Sequence, residues 1–576
     1  MSYHCTEWKH IANGGIFLII FFAPLSAYFL PAYADALPGM AGWLALIALM
    51  PFRKKERINL TLPDVLFLTV TGYCLLNLRG ASHWTYLWQL TDCIGLWIWM
   101  RQQKNRRYPD ILILLLCASG TIQALWGISQ TGRLVTSLHS EFAATGSFGN
   151  PGPWGGYLAV TLSLACAIMT DRRCPPQKRM VMAASGVLMT CGLLLSGSRA
   201  AVLAVSVSLF LLATDRCDLL RKTRKRYLPV TILTILLFVG FLHGIRPHSS
   251  NARLHIWKVS YTLFTRAPLL GHGSGSFARE YMPAQAGFLD NADKNVRQTA
   301  DSTTLAYNES VRLLCEQGTA GFLLILGLTV TCVIPLFRKD QVSPLSYFRY
   351  PVISILIFSQ FSYPSEVSGL NYLLPVFLGI GASGTEKKIF SFTSATIQYL
   401  RNILTMAICL SAGILFLIRI QLYNWIAEYA TYQEKEFFPA SSALHNEYFS
   451  HDRYLLATFC PIAHLRGEYE LSARYHLCLR QYVQSAGILL NLAEACEENG
   501  NRQLAIQYYK EAGRMMPGLV TPFFRIFGIY RDADQQTEAT RWAEKVLLCP
   551  PKIENAHVSQ IKKEAKKFIL QNEKLQ

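Results

Sequence analysis

Thirteen stretches of mostly apolar residues, each long enough or nearly so to cross a ~30 Å hydrocarbon core as a helix, punctuate this chain. They lie at about 12–31, 36–52, 63–79, 84–100, 110–130, 155–170, 180–195, 198–214, 228–245, 319–337, 347–363, 367–383 and 400–419. Backbone inside a bilayer must satisfy its own hydrogen bonds, so such segments fold as helices. The expected class is therefore all-α: a polytopic membrane protein of about thirteen helices over residues 1–420, followed by a soluble helical domain over 421–576. Composition agrees, because 51% hydrophobic with 16% charged residues is too charge-poor for an ordinary soluble domain.

The net charge of +18 first suggests nucleic acid, but the cations fall in short clusters between apolar segments. These are RKKER (53–57), RQQKNRR (101–107), RRCPPQKR (172–179), RCDLLRKTRKR (216–226), RK (338–339) and EKK (386–388). Each follows an even-numbered segment, so all six share one side, which the positive-inside tendency makes the cytoplasm. The pattern excludes a nucleic-acid partner, puts the N-terminus inside and sends the soluble tail to the periplasm of a bacterial inner membrane. Lys9, a long apolar run and Ala32-Tyr33-Ala34 resemble a cleavable signal, but the run is longer than a usual signal core and reads as an uncleaved helix. The fifteen cysteines form no CxxC pair or Cys/His group at ligand spacing, so neither a metal nor a cofactor is expected. Cys460, Cys478, Cys496 and Cys549 lie in the tail; two of them could pair in an oxidising compartment, with burial as small packing residues the stronger reading.

The same parity places four loops outside: 131–154, the turn SGSRA (196–200), the long interruption 246–305, and 362–368. Arg133, Arg199, Arg246, Arg253, Lys258, Arg266 and Arg279 stand there against the positive-inside tendency, and cations retained on that face want an anionic partner. Arg199 sits at a helix junction, where a guanidinium holds phosphate oxygens or simply snorkels. In NARLHIW (251–257) Arg253 and Trp257 are one helical turn apart and point the same way. GHGSGSF (271–277) is a glycine-rich loop suited to backbone amides near a ligand or a helix start, with His272 as a proton carrier or a plain turn residue. Asn150 in GSFGNPGPW, at the entry to the sixth helix, contacts a sugar or only shapes the turn. YNESVRLLCEQG (307–318) reads as an amphipathic helix closed by its glycine; in it Asn308, Glu309 and Arg312 are close, Glu309 serving as a base or as the ion partner of Arg312.

Beyond Ile420 the chain turns amphipathic with a 34-residue self-similarity. Leu489, Leu492, Ala493, Cys496, Ala505, Tyr509, Ala512 and Pro517 recur as Phe523, Ile526, Phe527, Tyr530, Ala539, Ala543, Val546 and Pro551. Helix pairs at this period resemble tetratricopeptide repeats, whose concave faces bind peptide or protein. The closing KKEAKK (562–567) reads as a solvated cap.

Together, the GSFGNP turn, GSRA at a helix junction, Arg253 with Trp257, PLLGHGSGSF, the Asn308-Glu309 pair and E-x-G-x-x-G from Glu316 resemble the O-antigen ligase and Wzy-type polymerase superfamily, which includes bacterial O-oligosaccharyltransferases. The resemblance covers roughly residues 1–420 and is strongest from 140 to 335. It implies transfer of a glycan from undecaprenyl pyrophosphate to an acceptor hydroxyl at the periplasmic face, without metal or nucleotide cofactor. Arg199 and Arg253 match the two arginines that hold the pyrophosphate. Asn150, Trp257, Lys258, Asn308 and Arg312 are the substrate-binding candidates, and Glu309, Tyr307 and His272 the remaining catalytic ones. Many ligases carry histidine where this chain has Tyr307, a phenol with a pKa of ~10 and a poor base at neutral pH. The acceptor is lipid A core, a second repeat unit (a polymerase) or a protein, the last favoured by the repeat tail. A lipid-linked solute transporter and a silent scaffold are the rivals from other classes. Against a transporter, charges keep to loops and the membrane part shows no internal duplication.

Overall fold

The computed structural model describes residues 2–29, 37–48, 58–78, 83–102, 107–216, 247–293, 296–297, 300–338, 344–385, 387–392, 395–431, 443–551 and 554–573. In chain order the first eight helices are α1 (Ser2–Phe29), α2 (Leu37–Ala48), α3 (Leu62–Leu76), α4 (His83–Gln102), α5 (Arg107–Thr131), α6 (Pro151–Met169), α7 (Pro176–Ser196) and α8 (Arg199–Arg216). Then come α9 (Pro247–Arg266), α10 (Phe277–Asp290), α11 (Glu309–Leu336), α12 (Arg349–Phe358), α13 (Leu373–Ser383) and α14 (Ala395–Thr431). The tail holds α15 (Ala443–Ser450), α16 (Arg453–Leu465), α17 (Tyr469–Arg480), α18 (Ala486–Glu498), α19 (Arg502–Met515), α20 (Thr521–Asp532), α21 (Gln536–Leu548) and α22 (Ala556–Glu573).

Twelve of the thirteen apolar stretches coincide with helix, and the stretch 228–245 lies outside the described residues. Among the described residues, however, only five helices are long and apolar enough to cross a membrane: Tyr108–Thr131, Pro151–Met169, Pro176–Ser196, Glu309–Leu336 and Ile403–Thr431. The expected spans at 347–363 and 367–383 shrink to helices of 10 and 11 residues, about half a bilayer core at 1.5 Å per residue. Both windows had counted apolar residues of the 359–372 connection, where Pro364 opens a short turn instead.

Among the described residues the class is helical with one exception. A two-stranded antiparallel ribbon pairs β1 (Ile58–Thr61) with β2 (Lys388–Phe392), tying together the chain beside two of the basic clusters. Charges gather at that end. Arg101 pairs with Asp64 at 3.1 Å, Lys178 with Asp110 at 3.8 Å, and Asp171 with both Arg173 and Arg216 at 2.6 and 3.1 Å. The described basic residues at the ends of α4, α6 and α8 therefore share one face, as the parity of their clusters required. The expectation that charges keep to loops fails inside α4, where Asp92 is buried.

α6 is the buried axis of the bundle and packs against α7, α8 and α12. Asn150 caps it by accepting the Gly152 amide at 2.9 Å, and the following prolines suit a helix's first turn, where amides lack partners anyway. The interruption 246–305 is itself mostly helical, folded into α9 and α10.

In the tail, α18 with α19 and α20 with α21 form helix pairs. Leu489, Leu492, Ala493, Ala505, Tyr509 and Ala512 are buried at one repeat, and Ile526, Phe527, Ala539, Ala543 and Val546 at the next. Small alanines recur where paired helices touch. α22 closes the stack by burying Ile561 and Ala565 and leaving Lys563, Lys566 and Lys567 outward, with Lys562 half-buried. The four tail cysteines are free thiols. α14 runs unbroken from the membrane part through residue 420 to Thr431. The tail docks on the long interruption: Ala486, Leu489, Ala512 and Met515 share one apolar core with Val259, Leu263, Phe277 and Tyr281.

Candidate functional site

The loops expected outside meet at the end of the bundle opposite the ribbon. Asn150 Nδ2 donates to the Tyr363 hydroxyl at 3.4 Å. The Tyr363 ring packs edge-on against Tyr307, centroids 5.2 Å apart, and the Arg253 guanidinium lies 5.7 Å from the Tyr307 centroid. Trp257, one turn beyond Arg253, donates its indole N–H to the Ala306 carbonyl at 3.1 Å. Arg253 and Trp257 thus both face the 306–307 turn, one as a cation and the other as a brace. Tyr307 holds a left-handed φ of 50°, a conformation that costs a bulky residue ~1–2 kcal/mol.

Arg199 is the first residue of α8, after a turn in which Gly197 takes a φ of 58°. Burial, and next the charge of Arg199, push the Arg253 guanidinium below its ordinary pKa. Two neighbouring guanidiniums favour an anion held between them. The N-termini of α6, α8 and α11 open at the same end, and their dipoles add positive potential. Burial raises Tyr307 more than Arg253 lowers it, and burial pushes Tyr363 up to about 12.

Beside the aromatic pair lies an ion network. Glu309 Oε1 accepts from the Ser365 amide at 3.0 Å and its hydroxyl at 2.5 Å, while Oε2 pairs with Arg312 at 2.8 Å. Arg312 also reaches Glu316 at 3.2 Å and Glu366 at 3.6 Å. Arg453, the first residue of α16 in the tail, pairs with Glu366 at 2.6 Å. Burial alone would raise the Glu366 carboxyl, but Arg453 and Arg312 outweigh it and hold it below the usual range. Asn308 caps α11 by accepting the Val311 amide at 3.1 Å. Both oxygens of Glu309 are therefore engaged, Oε1 by Ser365 and Oε2 in the ion pair with Arg312.

The glycine-rich loop is a splice. α11 does not end at Gly318 but kinks there, φ 63° and ψ −172°, and continues as the membrane helix. A Cβ on Gly271 would sit 2.4 Å from the Glu316 backbone, and one on Gly318 2.2 Å from the Leu269 carbonyl. The amides of His272 and Gly273 donate to the carbonyls of Cys315 and Glu316, both at 2.9 Å. Those two amides are spent on the protein's own carbonyls. The His272 ring bonds the Leu263 carbonyl through Nε2 at 2.9 Å, fastening α9. Lys258 is exposed on α9.

Tyr363, Ser365, Glu366 and Arg453 were not singled out from the sequence. The signal for Glu366 was an acid between apolar stretches in an outer loop; Arg453 had none, since its partner lies 87 residues away.

The fold is that of a helical membrane protein with two arginines brought together at one end of the bundle. Residues 184–326, which run from α7 through Arg199, Arg253 and Glu309 into α11, match the family model for O-antigen ligase. No curated protein matches the chain.

Proposed function

We propose that this protein is a glycosyltransferase that moves a glycan from an undecaprenyl pyrophosphate carrier to an acceptor hydroxyl at the periplasmic face of the bacterial inner membrane. The observation that carries the reading is the convergence of Arg199 and Arg253 at the end of the bundle where three helix N-termini open. The O-antigen ligase match across both arginines supports it.

The acceptor oxygen attacks the anomeric carbon. The bond from that carbon to the phosphate oxygen breaks, its electron pair leaves with the lipid pyrophosphate, and the acceptor proton passes to solvent or to that leaving group. Two guanidiniums aimed where negative charge grows stabilise departure, a contribution worth ~10²–10³ in rate per donor removed. With Tyr307 and Tyr363 raised and Glu309 held by Arg312 and Ser365, departure of the leaving group, rather than general base help, dominates. No cofactor is required.

Three acceptors fit this chemistry: protein, lipid A core, and a second lipid-linked repeat unit, the last making the enzyme a polymerase. The tail of tetratricopeptide-like pairs, docked on α9 and α10, favours a protein acceptor or partner. Glycan analysis of a deletion strain tests this. Loss of protein glycans with intact surface polysaccharide supports an oligosaccharyltransferase. Loss of polysaccharide, or its arrest at single repeat units, supports a ligase or polymerase. No change in either class supports the transporter or scaffold readings and contradicts the proposal.

A further inference from the structure

α9 lies across the bundle, and three helical runs rising from the ribbon end fix its height. α3, of 15 residues, reaches the C-terminal side of α9, where Asn77 Nδ2 donates to the Leu270 carbonyl at 2.9 Å. Residues 319–336 of α11 reach the same side, where the Thr319 and Ala320 amides donate to the Pro268 and Leu269 carbonyls at 2.9 and 3.1 Å. The turn Pro344–Phe348 and α12 reach the other side, because Ser359 accepts the Glu309 amide at 2.9 Å, two residues from the Tyr307 ring beside Arg253. At 1.5 Å per α-helical residue, and ~2 Å in the short turn, these runs are about 22, 27 and 25 Å long. Arg253 and Leu270 therefore stand at one height, about 25 Å above the ribbon end and near the outer boundary of a ~30 Å hydrocarbon core. The helix between them is about 20 Å long, so it runs in the plane of the membrane.

The faces of α9 sort accordingly. Val259 and Leu263 pack in the core shared with α10 and the tail. On the opposite side Leu254 and Tyr261 are exposed, Tyr261 by 67%, with Lys258 exposed between them. Arg266, Leu269 and Leu270 continue this strip past the helix, Leu269 being 65% exposed. The strip then runs into the outward surface of the spans: Leu76 is exposed beside Asn77, and Leu323, Leu326, Val330 and Ile334 form one exposed stripe down α11. The outward stripe of a span faces acyl chains, and continuity with it names the occupant of the strip. The polar members suit that level, since a tyrosine ring is amphipathic and long cations bury their stems while their charged ends reach the headgroups.

We propose that α9 and the turn after it form a membrane-surface arm. Leu254, Tyr261, Leu269 and Leu270 insert among the acyl chains of the outer leaflet, and Lys258 and Arg266 bind anionic phospholipid headgroups, as in other amphipathic helices that lie in a bilayer interface. The arm does not depend on the glycan-transfer reading. It holds Arg253, about a quarter-turn round α9 from Leu254, at the depth of lipid phosphates.

The test places a photo-crosslinking side chain in the full chain, as Tyr261→p-benzoylphenylalanine and Leu269→p-benzoylphenylalanine, with the same substitution at Leu548, exposed in the tail, as the aqueous reference. Each variant is reconstituted in liposomes of equal parts phosphatidylcholine and phosphatidylglycerol and irradiated, and its adducts are identified by mass spectrometry. The expected result is phospholipid adducts at 261 and 269 at least tenfold above those at 548. They should be enriched in phosphatidylglycerol at least ~5-fold, the worth of one basic residue near an anionic surface. Adding Lys258→Gln and Arg266→Gln together should keep the adducts and bring the two lipids to parity. Adducts to a second copy of this chain in place of lipid, or no more lipid at 261 and 269 than at 548, overturn the docking. Lipid adducts without the phosphatidylglycerol preference, or a preference that survives the double substitution, overturn the role of the two cations.

Discussion

Replacing Arg453 should loosen the candidate site from the tail side. Its guanidinium lies 2.6 Å from Glu366, with side chains 17% and 18% exposed. Arg312, the other cation near Glu366, is 3.6 Å away. Counting charges, the network holds Glu309, Glu316 and Glu366 against Arg312 and Arg453, so Arg453→Met takes it from −1 to −2. Removing one partner of a buried pair costs about 3–5 kcal/mol, and the residual exposure sets the expectation at the lower end, about 3 kcal/mol. Glu366→Gln together with Arg453→Met removes both charges, so the double variant should recover about 1–2 kcal/mol of the summed losses. Unfolding of the full chain in detergent, followed by tryptophan fluorescence, measures the cycle. Transfer should fall in parallel, because Ser365 ties Glu309 to the same turn that carries Tyr363. A coupling below about 0.5 kcal/mol, within ordinary additivity, would refute the idea that the tail latches this turn.

Acid should act through the same carboxylate. Glu366 titrates below its ordinary value when folded, so its stabilisation is complete above the unfolded carboxylate value of ~4.3 and is lost as pH falls through the depressed folded value; Glu366→Gln should flatten that acid limb of the melting temperature. Tyr307→Phe should keep most transfer and leave the rate profile unchanged over roughly pH 6–9, since burial holds the phenol protonated; a lost basic limb would make the hydroxyl a participant. Gly271→Ala and Gly318→Ala should each abolish accumulation of folded protein in membranes, because the added methyl meets backbone at 2.4 and 2.2 Å; normal expression of either would show that the splice yields.

Much of this arrangement was legible because it is local. A spacing of four put Arg253 and Trp257 on one side of α9, and both face the 306–307 turn. The alternation of basic loops foretold that Arg173 and Arg216 would lie at one end, where Asp171 pairs with both. Apolar periodicity located the helices but overran their ends, since a window cannot see that Pro364 starts a turn rather than a helix. Gly318 read as a helix terminator because its left-handed φ suits one; tertiary contact with Leu269 and Gly271 turns it into a kink. What stayed hidden was long-range. Arg453 and Glu366, or β1 and β2, find each other across distant sequence, and no local pattern encodes the pairing. Glu309 shows the same limit: its motif gave no sign that Ser365, 56 residues away, would bond its carboxylate beside Arg312.

The most direct measurement is glycan transfer in membranes from cells carrying Arg199→Ala or Arg253→Ala, normalised to the amount of protein inserted. If the paired guanidiniums hold the leaving pyrophosphate, each variant loses at least ~10²-fold in rate and Arg253→Lys, which keeps the charge but not the fork, restores only part. Transfer at near-normal rate in either alanine variant would contradict the account.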